Sequence, residues 1–178
     1  MRHNETMTYR VLMVCTGNIC RSPMAQQVLT EAVKEEGLDV IVDSAGVSNE
    51  EEGNPIDRRA ARVLREAGYG LPDHWARQIH SGDIGQWDLI LAMTDRHRSR
   101  LLRLADAAGV SVLPEAEAGD PSSVDIRLFR DFDPQAHENA LDVPDPWYGG
   151  HEDYVETLAI IESAKPQIME HLRQVTRG

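Results

Sequence analysis

The sequence predicts an α/β fold, a single doubly wound domain with a four-stranded parallel sheet and helices on both faces. Three observations predict it. Short apolar runs at Val11–Val14, Val40–Val42, Asp88–Met93 and Ile126–Phe129 alternate with longer helical patterns along the chain, and that alternation builds parallel sheets. The first of these runs is continuously apolar, as befits a strand covered on both faces. The chain has 178 residues, 41% of them hydrophobic, enough for one core and too little for two comfortable domains.

Residues 1–8 are polar and carry no hydrophobic signal core. They are expected to form a disordered tail, with Met7 as an alternative start, ahead of a domain spanning 9–178. The first strand is Val11–Val14. Ser22-Pro23 followed by Met24, Ala25, Val28 and Leu29 reads as a capped helix start. That helix should run from Pro23 to about Glu36, stop at Gly37, and bury Met24, Val28, Leu29 and Val33.

Val40-Ile41-Val42 reads as the second strand, with Ser44-Ala45-Gly46 leaving the sheet and 47–54 forming an acidic loop around Glu50-Glu51-Glu52. Pro55 should open a second helix that runs through Ala67 and is ended by Gly68 and Gly70. A short helical turn near Asp83 precedes the third strand. Asp95 is placed to cap the next helix, which carries Leu101, Leu102 and Leu104 and fades near Gly109.

Gly109 to Ser123 mixes Gly, Pro, Ser and acids, and no element is assigned there. Ile126–Phe129 is the fourth strand. Asp131 to Gly150 is a proline-rich stretch with little periodicity, and long loops in compact domains are usually functional. The last helix spans about Asp153 to Gln174, with Val155, Leu158, Ile161 and Ile168 facing inward and Pro166 expected to kink it.

Eighteen basic against thirty acidic side chains give a net charge of −12, with no Lys/Arg stripe or tail. Nucleic acid and anionic membranes are therefore poor partners. No apolar run approaches the roughly 20 residues of a membrane span, and a cytoplasmic location is expected. Cys15 and Cys20 are the only cysteines, too few for a disulfide framework and suited to a reducing compartment. The histidines show no ligand spacing and Cys15 and Cys20 are the only thiols, so no zinc site is expected; no metal or organic cofactor is assigned to the chain.

The chemistry concentrates between the first strand and the first helix. Cys15 and Arg21 are separated by Thr16-Gly17-Asn18-Ile19-Cys20, a length that can curl around a small anion with backbone N–H groups pointing inward beside a helix N-terminus. Helix N-termini and guanidinium groups stabilise thiolates. Cys15 is thus a candidate nucleophile toward phosphorus. Arg21 offers a planar fork for two phosphate oxygens, Ser22 a hydrogen bond to the sulfur, and Asn18 a residue that tolerates left-handed backbone.

The segment Cys15-Thr16-Gly17-Asn18-Ile19-Cys20-Arg21-Ser22-Pro23, with Asp145-Pro146-Trp147-Tyr148-Gly149 far downstream, resembles the low-molecular-weight protein tyrosine phosphatases. The resemblance runs from about Tyr9 to about Leu172 and is weaker between Val110 and Val124. It implies hydrolysis of phosphotyrosine in proteins through a phosphocysteine intermediate, with inorganic phosphate as product. It also implies residue roles. Cys15 is the nucleophile, residues 16–21 bind phosphate, and Asp145 is general acid and then base. Trp147 and Tyr148 lie at the pocket wall.

Read alone, Asp145 is equally a turn aspartate between Pro144 and Pro146, and Asp142 is close enough to be a rival. His74, in His-Trp-Ala-Arg-Gln-Ile, matches the family's histidine that supports Asn18, and is equally a surface histidine. By resemblance Cys20 can close a protective disulfide with Cys15 under oxidant. The loop 47–54 departs from the family by holding no aromatic, and its acids suggest a preference for basic residues flanking the substrate tyrosine.

Two related activities are alternatives. Protein-arginine phosphatases carry threonine where Ile19 stands, and thiol-dependent arsenate reductases need further cysteines downstream of Cys20.

Overall fold

Apolar strands with alternating faces create two separate hydrophobic layers, and the chain folds to cover both. The computed structural model describes residues 8–113 and 123–177. Of the expected tail only Thr8 lies among them, its hydroxyl donating to Asp39 Oδ1 at 2.9 Å. The strands are β1 (Tyr9–Cys15), β2 (Val40–Gly46), β3 (Leu89–Ala92), β4 (Val112–Leu113) and β5 (Val124–Leu128), and the helices are α1 (Arg21–Glu36), α2 (Arg58–Glu66), α3 (Asp95–Ala108) and α4 (His151–Thr176).

The sheet is five-stranded in the order β2-β1-β3-β5-β4, and all its pairs are parallel. The fifth strand corrects the expected four. β4 is two residues long and exists through its pairing with β5, so it has no local pattern of its own in the mixed stretch from Gly109 to Ser123. The rest of that stretch, 114–122, lies outside the described residues.

Val11, Met13, Leu89 and Leu91 point into one layer with α1, α2 and α4, while Leu12, Val14, Ile90 and Ala92 point into the other with α3. The period-2 alternation of strand side chains is what feeds both layers.

Several local expectations are corrected. Ser44-Ala45-Gly46 stays in the sheet, with Gly46 paired opposite Cys15. α2 begins at Arg58, because the Asp57 side chain accepts from the Arg59 N–H and caps it. Thr94, not Asp95, caps α3 by accepting from the His97 N–H. Val155 faces solvent while its neighbour Tyr154 is fully buried.

The order of strands places a topological switch point at the carboxyl end of β1, where the chain moves to β2 on one side and later to β3 on the other. Ligands in open α/β sheets bind at such crevices. Cys15 is the last residue of β1.

Candidate active site

Between β1 and α1 the backbone makes a tight bowl, and one residue of it requires the left-handed region. Asn18 has φ 62°, a conformation that asparagine tolerates better than most side chains. Its carboxamide then stitches the bowl. Oδ1 accepts the Arg77 N–H at 3.0 Å, which fixes Nδ2 as the donor end, and Nδ2 donates to Ser22 Oγ and Ser44 Oγ at 2.9 Å each. Ser44 Oγ passes its own proton to Gln26 Oε1 at 2.6 Å.

The polarity of that chain reaches the sulfur. Ser22 Oγ already accepts from Asn18, so its hydrogen is free to point at Cys15 Sγ, 3.0 Å away. Cys15 and Ser22 are both buried. His74 Nε2 donates to the carbonyl oxygen of Asn18 at 2.6 Å, and burial holds its pKa below the usual histidine value. His74 is buried, not a surface histidine.

Gly46 sits directly behind the bowl. A Cβ there would collide with the carbonyl oxygen of Thr16 and crowd Asn18, so the close approach of β2 requires glycine. The backbone also ties this edge down through Val47 N–H to Cys15 O at 2.9 Å and Ser48 N–H to Thr16 O at 3.1 Å.

Arg21 is 5% exposed. Its Nη1 donates to the Val143 carbonyl at 3.0 Å, and its Nη2 lies 3.6 Å from Asp145 Oδ2. Asp145 is half exposed, and its Oδ1 accepts the Trp147 N–H at 3.1 Å, which locks an Asx turn. The neighbouring Asp142 is engaged elsewhere, accepting the Asp95 N–H at 2.8 Å.

A cavity of about 320 Å³ opens over the bowl, lined by residues 15–21 together with Glu50, Glu51, Asp145, Trp147 and Tyr148. Tyr148 is 95% exposed and stands free at the rim, while Trp147 is 38% exposed.

Three contributors escaped the sequence reading. Arg59 is ion-paired to Asp57 at 3.1 Å, donates to the Trp147 carbonyl at 3.0 Å, and lies over both the Trp147 and Tyr154 rings at 5.0 and 4.8 Å. It buttresses the aromatic rim. Tyr154 Oη is 3.7 Å from Cys20 Sγ, and burial pushes the Cys20 thiol up to about 12. His97, buried on α3, reaches Thr16 Oγ1. Apart from the local Arg59–Asp57 pair, none of these contacts has a sequence-local signature, since each hydrogen-bond partner lies 81 or more positions away.

A thiol under a donating hydroxyl, an inward guanidinium and a carboxylate across the opening can do nucleophilic substitution on a bound oxyanion ester with proton transfer at the rim.

Comparison with known proteins agrees. The low molecular weight phosphotyrosine protein phosphatase family matches residues 10–177. A low molecular weight protein-tyrosine-phosphatase of Streptomyces coelicolor is 40% identical over 174 residues, covering 97% of this chain and 98% of the relative. Low molecular weight protein-tyrosine phosphatase A of Mycobacterium tuberculosis is 43% identical over 158 residues, covering 88% and 86%. The crystal structure of a protein tyrosine phosphatase from Entamoeba histolytica superposes with TM-score 0.77 at 29% identity, covering 93% of this chain and 97% of that one.

Proposed function

The chain belongs to the low molecular weight phosphotyrosine protein phosphatase family, and from that premise we propose that it hydrolyses phosphotyrosine in proteins through a phosphocysteine formed on Cys15. The observation that carries the reading is the Ser22 hydroxyl 3.0 Å from the Cys15 sulfur, inside a bowl walled by Arg21.

In the first step the Cys15 sulfur attacks phosphorus, the bond from phosphorus to the tyrosine oxygen breaks, and Asp145 gives that oxygen its proton. Arg21 and the N–H groups of residues 16–21 hold the equatorial oxygens, where charge is greatest in the transition state. In the second step Asp145 takes a proton from water, the water oxygen attacks phosphorus, and sulfur leaves as thiolate. The Ser22 hydrogen bond eases that departure, and inorganic phosphate is released. No metal or organic cofactor takes part.

Geometry favours Asp145 over Asp142 for the proton. Asp145 lines the cavity, whereas the Asp142 carboxylate is spent on the first turn of α3. Trp147 and Tyr148 flank the acid and supply a flat wall that suits a phenyl ring. Glu50 and Glu51 line the same cavity, supporting a preference for basic residues on that side of the substrate.

Among the described residues no helix is long and apolar enough to cross a membrane. With the charge of −12 this supports action in the cytoplasm on protein substrates rather than on nucleic acid or at anionic lipid.

A turnover panel with EDTA present tests the function. Phosphotyrosine should be hydrolysed well ahead of phosphoserine and phosphoarginine, and arsenate should not be reduced. Preferential turnover of phosphoarginine would overturn the assignment, despite the apolar Ile19.

A further inference from the structure

A second cavity of about 330 Å³ adjoins the first. Thr16, Arg21 and Asp145 line both, so the two share a wall. The rest of the second cavity's lining is Val47, His97 and a stripe of three arginines on α3, Arg96, Arg100 and Arg103. Their spacing puts them on successive turns of one helix face.

This stripe runs against the rest of the molecule. All three side chains belong to exposed residues, and among the described residues none of them has an ion pair or a hydrogen-bond partner. Like charges at this spacing destabilise a helix, and the chain holds thirty acidic side chains that could have neutralised them. Among the described residues the only acid lining the cavity is Asp145, on the shared wall. Unpaired guanidinium groups around a concave surface suit an incoming carboxylate or phosphate, which they can grip bidentately.

We propose that this cavity is a subsite for an anionic group carried by the substrate itself, a side-chain carboxylate or a second phosphate a few residues from the phosphotyrosine. The proposal rests on the phosphatase reading of the bowl. A peptide whose phosphate sits on Cys15 passes the shared wall, so its neighbouring residues come within reach of Arg100 and Arg103. The two rims then read opposite charges, with Glu50 and Glu51 on one side and the α3 arginines on the other. That fixes the direction in which a substrate chain lies across the opening.

Peptides with one phosphotyrosine, carrying a Glu pair, a phosphoserine or an Ala pair either before or after it, test the subsite at low salt. For the wild type, an anionic group on one side only should raise kcat/KM at least fivefold over the Ala peptide. Phosphoserine should act more strongly than glutamate. In the R100Q/R103Q variant the preference should fall below twofold, and in the wild type it should shrink likewise at about 0.5 M salt. Equal turnover of all peptides by the wild type, or a preference that survives in the variant or at high salt, overturns the subsite and leaves the phosphatase reading standing. No turnover of any peptide overturns both.

Discussion

His97 Nε2 lies 2.7 Å from Thr16 Oγ1, joining α3 to the residue that follows Cys15. Its Nδ1 is 3.0 Å from Thr94 Oγ1, so both ring nitrogens are engaged. Burial, with help from the nearby Arg21 charge, holds its pKa down at about 4. The folded state therefore binds this proton more weakly than the unfolded chain, where histidine titrates near 6.5. The stability it contributes is fully present above about pH 6.5 and is lost as the pH falls toward 4. Urea midpoints should drop between pH 7 and 5, and His97→Asn should flatten that slope. An unchanged slope in the variant would assign it to His74 and His171, whose pKa values burial also lowers.

Asp145→Asn should reduce kcat on phosphotyrosine by about 100-fold or more, the usual worth of a positioned general acid. The loss should be smaller for an aryl phosphate with an acidic leaving group, and vanadate inhibition should persist because the bowl is untouched. Asp142→Asn keeps the acceptor for the Asp95 N–H and should leave kcat within about threefold. Steady-state kinetics on both variants decide between the two aspartates. Cys15→Ser should abolish turnover altogether.

Cys20 should protect Cys15 from irreversible oxidation. Peroxide converts the Cys15 thiolate to sulfenic acid, and the Cys20 sulfur then forms the disulfide with loss of water. Burial makes Cys20 a poor first target. Mass spectrometry after mild peroxide should find the Cys15–Cys20 link, and Cys20→Ser should convert reversible inactivation to irreversible. Finding only sulfinic Cys15 in the wild type would remove the idea.

Gly46→Ala should lower stability by about 1–3 kcal/mol, since the added methyl meets backbone rather than a movable side chain. It should also lower kcat on every substrate by displacing the Thr16 carbonyl. Thermal melts and aryl phosphate turnover check both effects.

The sheet and its first loop were legible because their signals are local. Val11–Val14 is continuously apolar, Ser22-Pro23 stands at a helix start, and Gly37 does take the left-handed backbone that ends α1, with φ 66°. What escaped was set by distant partners. β4 depends on its pairing with β5, and Gly46 reads as a loop residue until β1 lies beside it. The buttress role of Arg59 appears only when Trp147, 88 positions away, folds over it. Among the polar residues of α3, nothing distinguishes His97 until Thr16 arrives.

Two rungs of one loop are moored to a single cation, because Arg21 takes the carbonyl of Val143 with one nitrogen and faces the carboxylate of Asp145 with the other. The spacing from Val143 to Asp145 is therefore a fixed span, and lengthening or shortening it would pull the acid off station. Upstream, the largely exposed stretch from Pro134 to Ala140 carries no such fastening to Arg21. It is the place where insertions, tags or surface redesign can be accommodated without detuning the chemistry.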